Sequence, residues 1–278
     1  MKLTPTEQYL AGYHDAKAGV ISRAFQHLVV TGDAGANFES TYHVLLAALP
    51  FVSGAAPAVL DLACGDGHLL ALLAAAWPRS TLTGIDLSDG ELRAARARLG
   101  KGVTLHRCKA QQLPLADASV DAVVSHLALM LMNDIDTVRS EVRRVCKTGA
   151  TFVGLVGTGP AASPAFDAFN ALYAKATRRP ELGELRFGDR RFRSIEGIHE
   201  WLAPAFEGAR IDALRISRDY TPTELWSWHA DMYDADLLTP AALTDLRYDY
   251  LRAIEPLCDT SGRVHVDDRI LCFAARAV

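Results

Sequence analysis

Between residues 58 and 156 the chain alternates short apolar runs with longer amphipathic stretches. The short runs are rich in Val, Leu and Ile and predict buried β-strands, whereas the longer stretches predict α-helices. The predicted strands cover residues 58–62, 81–85, 103–106, 120–125 and 150–156. Strands that are apolar on both faces and alternate with helices are typical of a parallel sheet covered by helices on both sides.

The two flanking regions have different patterns. The first 50 residues predict helices on either side of a turn-prone segment, residues 31–35. Beyond residue 157 the pattern predicts helices at 164–179, 195–202, 223–233 and 240–254, and strands at 209–220 and 263–275. The sequence therefore predicts the α/β fold class, with a Rossmann-like, doubly wound, mostly parallel sheet of seven strands.

This pattern divides the chain into three parts. Residues 1–57 are predicted to form an N-terminal helical cap, and residues 58–157 the core. Residues 158–278 are predicted to form a C-terminal lid insertion together with the final strands of the same sheet. We expect the insertion near the carboxyl ends of the strands, because open α/β sheets bind their ligands there.

Composition and charge narrow the class of protein. The 278 residues are 50% hydrophobic and 22% charged, with a net charge of -4, which is typical of a globular protein. The mildly acidic balance argues against nucleic acid as the main partner, because phosphate binding needs clustered Lys and Arg. The five cysteines form no CxxC pair, and neither a secretory signal nor a membrane-length apolar stretch is apparent. We therefore expect a reducing, cytoplasmic environment and no membrane partner.

The most informative segment is residues 59–70, in which a buried strand leads through a Gly-x-Gly turn into a helix. Gly65 and Gly67 indicate that the backbone approaches a ligand closely. Asp61 precedes the first glycine by four residues, Asp66 lies between the glycines, and Asp86 ends the next predicted strand. Together these residues are a more specific signal than the glycines alone.

A dinucleotide site is the rival interpretation, and it would make the chain an NAD-dependent oxidoreductase. The dinucleotide fingerprint needs a third glycine where this chain has Leu70. Asp61 and Asp66 would also place carboxylates against a pyrophosphate, and like charges repel. A cationic ligand without phosphate fits better. S-adenosylmethionine is such a ligand, because it offers an ammonium and a sulfonium to the acidic loop and a ribose diol to Asp86.

The acidic residue before the glycine loop and the residues that follow resemble the class I S-adenosylmethionine-dependent methyltransferases of the small-molecule type. The resemblance covers about residues 58–156. Asp86 matches the family's ribose-binding acid, and residues 109–114 resemble the stretch that lines adenine. Residues 119–126 resemble the fourth-strand motif, and residues 143–150 resemble the helix and turn before the fifth strand. The resemblance implies S-adenosyl-L-methionine as the cofactor.

The resemblance also implies a set of cofactor-binding residues. They are Asp61, Ala63, Gly65, Gly67, Asp86, Leu87, Ala110, Gln111 and Ser125. The residues of the glycine loop would hold the methionine portion, and Asp86 the ribose. One position departs from the family: its adenine stretch often begins with an Asp that faces the amino group of adenine, and here Lys109 stands there. Recognition of adenine would then fall to the backbone or side-chain amide of Ala110 or Gln111.

Histidines are the candidates for chemistry at the methyl acceptor. His126 follows a buried strand and is predicted as a catalytic residue, with a hydrogen-bonded core histidine as the open alternative. His229 is the second predicted catalytic residue. His265 and Asp267 point to the same side of a predicted strand, and with His229 they would form a two-His, one-carboxylate set for a divalent metal. The alternative is that these are ordinary, partly exposed residues.

Such a metal would chelate a 2-oxo acid and stabilise its enolate. This alternative function is a metal-assisted C-methyltransferase that β-methylates a 2-oxo acid, and the chain has a weak similarity to enzymes of that kind.

The predicted lid contains an arginine cluster, and most of it is expected to form a solvated face. Its members are Arg178, Arg179, Arg186, Arg190, Arg191 and Arg193. One or two of them would instead pair bidentately with a carboxylate-bearing acceptor. The sequence thus predicts an S-adenosylmethionine-dependent methyltransferase that acts on a small molecule in bacterial-type secondary or specialised metabolism. A noncatalytic protein that keeps the cofactor fold as a partner module is the alternative from another class.

Overall fold

The computed structural model describes residues 2–32, 35–158, 163–182 and 185–278. The helices are α1 (Pro5–Ala16), α2 (Val20–Phe25), α3 (Thr41–Ala48), α4 (His68–Ala76), α5 (Asp89–Leu99), α6 (Ile135–Val145), α7 (Pro164–Tyr173), α8 (Ile195–Leu202), α9 (Pro222–Ala230), α10 (Tyr233–Asp236) and α11 (Pro240–Ile254). The strands are β1 (Val30–Gly32), β2 (Asn37–Phe38), β3 (Ala58–Leu62), β4 (Thr81–Asp86), β5 (Thr104–Arg107), β6 (Val120–His126), β7 (Cys146–Gly157), β8 (Phe206–Tyr220) and β9 (Val264–Ala277). Among the described helices, none combines the length and the apolar content that a membrane crossing demands.

The strands form one mixed sheet in the order β2-β1-β8-β9-β7-β6-β3-β4-β5. Strands β3 to β7 pair in parallel, and β9 pairs antiparallel with β7. From β3 the chain proceeds outward to β4 and β5, and then returns to β6 and β7 on the other side. The direction therefore reverses between β3 and β6. Open α/β sheets bind ligands outside the carboxyl ends of the strands at such a point.

The sheet has two more strands than the seven predicted, since the described part of the chain contains nine. The seven predicted strands correspond to β3 to β9. The additional strands are β1 and β2, which pair antiparallel with Val30 opposite Phe38. Three-residue and two-residue strands are too short to produce a period-two pattern. Strand β1 adjoins β8 in the sheet, a long-range pairing that local spacing does not reveal.

The chain forms two compact units. Unit 1 comprises Met1–Thr158, Phe187–Leu214 and Ile270–Val278, and unit 2 comprises Gly159–Arg186 and Arg215–Arg269. The core of unit 1 contains the fully buried side chains of Phe152, Trp201 and Phe273. Unit 2 has its own apolar core, which includes Phe169 and Tyr250. The division into cap, core and lid at residues 57 and 157 stays a prediction.

Two helices, α1 and α9, each begin with a capping box. In α1 the Thr4 hydroxyl accepts a hydrogen bond from the backbone of Glu7, and the Glu7 carboxylate accepts one from the backbone of Thr4. In α9 the same two bonds join Thr221 and Glu224. Each such capping box satisfies backbone donors that a helix start leaves open. It also holds the carboxylate of the glutamate in a defined position.

Candidate functional site

The glycine loop connects β3 to α4 through three residues with positive φ angles, namely Ala63 (63°), Gly65 (52°) and Gly67 (75°). A Cβ atom on Gly67 would lie 2.7 Å from Cδ1 of Leu99, so this glycine allows α5 to pack closely. A Cβ atom on Gly65 would meet nothing nearer than Oε2 of Glu91, at 3.9 Å. Gly65 is therefore open apart from this one ordinary van der Waals contact, whereas Gly67 serves packing between helices.

Asp61 is the buried acid that precedes the loop. Its side chain is 1% exposed, and its Oδ2 atom finds no hydrogen-bond partner among the described residues. Burial, followed by the nearby charges of Asp86 and Asp66, raises the pKa of Asp61 well above its usual value. An ionised carboxylate in this position is costly unless a cation or a donor reaches it. The site therefore favours a positively charged hydrogen-bond donor beside Asp61.

Asp86 ends β4 and shapes the loop through two backbone bonds. Its Oδ2 accepts from the N–H of Gly65 and its Oδ1 from the N–H of Ser88, each at 2.9 Å. Burial raises the pKa of Asp86. Each carboxylate oxygen keeps a further lone pair, so Asp86 can also accept from ligand hydroxyl groups. The next residue, Leu87, accepts at its carbonyl oxygen from Nε of Arg107, at 3.1 Å.

Asp66 differs from Asp61, although both carboxylates were expected to exclude a pyrophosphate. Its Oδ2 accepts from the guanidinium of Arg98 and, at 2.7 Å, from the hydroxyl of Ser22. Nε of Arg98 also donates to the carbonyl oxygen of Asp66, at 3.0 Å. Asp66 thus joins α2 and α5 to the loop and has its charge neutralised. Asp61 and Asp86 remain as the acids available to a ligand.

The N-terminal segment lies against the start of α5 through carboxylates that the sequence analysis missed. Oε2 of Glu91 accepts from the backbone N–H of Gly19, and its Oε1 bonds to Nδ1 of His14, each at 2.9 Å. Oδ1 of Asp15 accepts from the Ser88 hydroxyl and from the backbone N–H of residue 90, each at 2.7 Å. Ser88 and Glu91 have the spacing of a capping box, which was the available signal. The structure instead directs the Glu91 carboxylate to the N-terminal segment.

The stretch after β5 holds the residues predicted for adenine. Ala110 is 8% exposed and belongs to the core of unit 1. The side-chain amide of Gln111 donates to the carbonyl oxygen of Asn133, at 2.7 Å. Nζ of Lys109 lies 2.7 Å from Oε1 of Glu7 in α1. The amide nitrogen of Gln111 is therefore already engaged, and a charged pair stands at the start of the stretch.

Ser125 and His126 lie at the carboxyl end of β6. The Ser125 hydroxyl donates to the carbonyl oxygen of Leu62, at 3.1 Å. Nε2 of His126 shares a 2.9 Å hydrogen bond with the Thr41 hydroxyl, and its ring stacks on Tyr42 with 3.8 Å between centroids. Burial lowers the pKa of His126 to about 3. His126 is therefore neutral near pH 7 and is a weak base.

Tyr42 and His68 extend this aromatic group beside the glycine loop, and neither was predicted. Their rings meet edge to face at 4.6 Å, and Nδ1 of His68 is buried without a partner in the described structure. Burial, followed by the charges of Asp66 and Asp61, raises the pKa of Tyr42 well above its usual value. The loop is thus bordered by acids on one side and by neutral aromatic rings on the other.

His229 belongs to the aromatic core of unit 2. It is 3% exposed and stacks on Phe169 at 3.8 Å, and its Nε2 bonds to the hydroxyl of Tyr250 at 3.1 Å. Burial lowers its pKa to about 3. His229 is therefore an integral part of this core, and a catalytic role for it stays a prediction.

The predicted metal site is not supported. Within the described ranges, no group of three His, Cys, Asp or Glu side chains is arranged to hold a metal ion. His265 and Asp267 do lie together, but Nδ1 of His265 bonds to Asp219 at 2.7 Å and Asp267 pairs with Arg215. His229 is instead enclosed by aromatic rings and bonded to Tyr250. The period-two pattern of the strand correctly placed His265 and Asp267 together. The position of His229 on a helix gave no information about its distance from those two side chains.

The predicted arginine cluster is divided between several structural contacts. Arg191 pairs with Asp189 and Asp136 at 2.8 and 3.0 Å. Nε of Arg179 donates to the carbonyl oxygen of Leu238 at 3.0 Å, and Arg178 lies over the ring of Tyr173. A role for the remaining members in binding a substrate carboxylate stays a prediction.

Comparisons with known proteins agree with the interpretation of the glycine loop as part of a methyltransferase. Residues 60–154 match a protein family described as a methyltransferase domain. The chain is 40% identical over 104 residues to the ubiquinone/menaquinone biosynthesis C-methyltransferase of Desulfotalea psychrophila, which is 37% of this chain and 42% of that protein. It is 31% identical over 184 residues to the malonyl-[acyl-carrier protein] O-methyltransferase of Methylococcus capsulatus, which is 63% of this chain and 61% of that protein. The chain thus matches less than two thirds of the length of either relative.

A solved structure supports the fold. Geranyl diphosphate C-methyltransferase from Streptomyces coelicolor A3(2), in complex with Mg2+, geranyl diphosphate and S-adenosyl-L-homocysteine, has a TM-score of 0.54 and 18% identity, with 100% of both chains covered. A likeness at this identity shows the fold alone. The family match over residues 60–154 confirms the predicted resemblance to methyltransferases and favours it over the oxidoreductase alternative.

Proposed function

We propose that this chain, whose residues 60–154 belong to a methyltransferase domain family, is an S-adenosylmethionine-dependent methyltransferase that acts on a small molecule. The observation that carries the proposal is the buried Oδ2 atom of Asp61, which has no hydrogen-bond partner among the described residues. An ammonium group supplies both the donor and the charge that this atom lacks, and charge-assisted hydrogen bonds are strong. S-adenosylmethionine carries such an ammonium.

The residues at the strand ends fit the rest of the cofactor. Asp86 would accept from the ribose hydroxyls through its free lone pairs, while its bonds to Gly65 and Ser88 hold it in place. The open side of Gly65 allows the methionine portion to approach the backbone. A pyrophosphate would instead bring further negative charge to the buried carboxylate of Asp61, and like charges repel. This contrast supports S-adenosylmethionine over NAD.

The proposed chemistry needs little acid or base from the protein. S-adenosylmethionine supplies an activated methyl group, so orientation of the acceptor provides much of the rate enhancement. The neutral ring of His126 lies at the end of β6, and burial lowers its pKa to about 3. We infer that His126 helps to position the acceptor and does not remove a proton from it. An acceptor that is already ionised, such as a carboxylate or an enolate, fits this environment.

The acceptor itself is a narrower proposal. One relative is named as a C-methyltransferase of ubiquinone/menaquinone biosynthesis and the other as a malonyl-[acyl-carrier protein] O-methyltransferase. We propose a small, carboxylate-bearing acceptor of bacterial specialised metabolism. A metal-assisted reaction on a 2-oxo acid loses its basis, because His229, His265 and Asp267 do not form a set.

Calorimetric titration tests the cofactor. We expect S-adenosylhomocysteine to bind and NAD not to bind, and NAD binding without S-adenosylhomocysteine binding would contradict the proposal. Turnover is then measured as S-adenosylhomocysteine released from S-adenosylmethionine, with panels of carboxylic acids, phenols and amines as acceptors. Cofactor binding without turnover on any acceptor would favour the noncatalytic alternative.

A further inference from the structure

The strands that carry the site lie side by side in the order β3, β4, β5. Asp61 lies opposite residue 84 and Asp86 opposite Arg107 in the parallel register. The backbone N–H of Cys108 then donates to the carbonyl oxygen of Asp86. Neighbouring strands are about 4.8 Å apart. A ligand with its amino group at Asp61 and its ribose at Asp86 therefore directs its base towards the end of β5, where Lys109 begins the next stretch.

Lys109 is paired with a carboxylate from α1. Its Nζ atom lies 2.7 Å from Oε1 of Glu7, and the two side chains are only 22% and 8% exposed. Oε2 of Glu7 accepts from the backbone N–H of Thr4, at 2.7 Å. The capping box thus fixes the carboxylate, and the carboxylate fixes the ammonium. This arrangement is more ordered than an exposed ion pair, which pays an entropy cost and contributes little.

We propose that the Glu7–Lys109 pair reads the edge of the adenine base. That edge is the Watson–Crick edge, which presents the amino group, a donor, beside the ring nitrogen N1, an acceptor. Glu7 has lone pairs left for the amino group, and Lys109 has two further N–H donors for the ring nitrogen. The pair would act beside Ala110, which is 8% exposed, and beside Gln111, whose amide nitrogen already donates to Asn133. This inference rests on the proposed function and makes α1 part of the cofactor site.

Hypoxanthine is the probe that separates recognition from structural support. Its edge presents an oxygen acceptor beside an N–H donor, which is the reverse of adenine. A site built to hydrogen-bond one edge rejects the other strongly. We expect the wild-type protein to bind S-adenosylhomocysteine roughly 100-fold more tightly than S-inosylhomocysteine in calorimetric titrations.

Glu7→Gln is the decisive variant, since glutamine keeps the capping box. Its amide can turn either its oxygen or its NH2 group to the ligand. We expect the preference for adenine to fall about tenfold or more as the charge-assisted bond is lost. Lys109→Met, which removes the donor, is expected to weaken S-adenosylhomocysteine binding by about tenfold as well.

Glu224→Gln is the matched control. Glu224 occupies the same capping-box position in α9 and pairs with Arg263 at 3.4 Å. Glu224→Gln therefore makes the same chemical change as Glu7→Gln, at a capping glutamate that also pairs with a basic side chain. We expect this variant to keep the full preference for adenine. An unchanged preference in both Glu7→Gln and Lys109→Met would overturn the inference while leaving the proposed function intact. Failure of the wild-type protein to bind S-adenosylhomocysteine would overturn the proposed function itself.

Discussion

Two buried histidines, one in each unit, have very similar surroundings. His126 and His229 are 8% and 3% exposed. Each stacks on an aromatic ring at 3.8 Å, His126 on Tyr42 and His229 on Phe169. Each bonds to a hydroxyl group, and burial lowers the pKa of each to about 3. Burial and hydrogen bonding alone therefore do not decide whether either histidine takes part in a functional site.

The charges around the two histidines differ. Tyr42, which stacks on His126, has its pKa raised by Asp66, Asp61 and Glu91 in addition to burial. For His229, burial is the cause of the lowered pKa. A neutral ring near the unneutralised Asp61 can contact a cationic ligand, whereas a ring among Phe and Tyr side chains stabilises a core. The two histidines thus differ in the carboxylates that lie near the His126 group and are absent from the causes that act on His229.

Acid should destabilise both units through these histidines. The folded-state pKa values near 3 lie below the ordinary value of 6.5, so the unfolded chain binds more protons between these pH values. Stability is then fully present above pH 6.5 and is lost as pH falls, by up to about 1.4 kcal/mol per pH unit for each histidine. Urea unfolding at pH values from 7.5 to 4.5 measures this loss of stability. The double variant His126→Phe/His229→Phe should show a flatter dependence, and an equal slope would contradict the buried, neutral state.

Asp61→Asn should weaken S-adenosylhomocysteine binding by at least roughly 30-fold, about 2 kcal/mol, because the ammonium loses its buried counter-charge. The raised pKa of Asp61 means that its ionised form destabilises the fold increasingly as pH rises above 3.8. The variant without ligand should therefore gain stability relative to wild type at pH 8 but not at pH 4. Calorimetry and thermal unfolding measure the two effects.

Asp121→Asn is the control for this prediction. Asp121 lies near the amino end of β6, where it pairs with Lys147 at 2.7 Å. We expect S-adenosylhomocysteine affinity to stay at the wild-type value. An equal loss of affinity in both variants would mean that Asp61 acts only through the sheet.

The single variants His126→Phe and His229→Phe sharpen the comparison directly. Each removes one hydrogen bond from a buried hydroxyl, on Thr41 and Tyr250 respectively, and the loss costs about 1 kcal/mol of stability. Only His126→Phe should also lower the rate of methyl transfer. The rate is measured as S-adenosylhomocysteine released at saturating S-adenosylmethionine, in reactions stopped at successive times. If His229→Phe lowered it to the same extent, the assignment of His229 to the core alone would fail.

The smallest expected effect concerns the overturned metal set. Asp267→Asn should change the free energy of unfolding by no more than about 1 kcal/mol, because ion pairs with largely exposed partners such as Arg215 and His265 contribute little. Chelators should leave methyl transfer unchanged. Copurification of a stoichiometric metal that Asp267→Asn removes would reinstate the metal site.

Much of the core fold was predictable from local spacing. The runs of Val, Leu and Ile predicted β3 to β7 within a few residues, because an apolar strand between helical stretches has its own periodicity. The short strands β1 and β2 were not predictable, since they exist through pairing with each other and with β8. In the site, the position of Asp61 before Gly65 identified the loop. The metal set failed because sequence spacing contains no distance between α9 and β9.

The sequence by itself determined the strand and helix alternation, the glycine loop and the acids around it, because these depend on residues close together in the chain. Only the tertiary structure decided which acids remain available. Ser22 and Arg98 are 44 and 32 residues from Asp66, yet Ser22 donates a hydrogen bond to it and Arg98 neutralises its charge. Asp61, in contrast, keeps an oxygen without a partner among the described residues. Hydrogen bonds and ion pairs form across space, so the chemical character of an acid is set by neighbours that its local sequence does not contain.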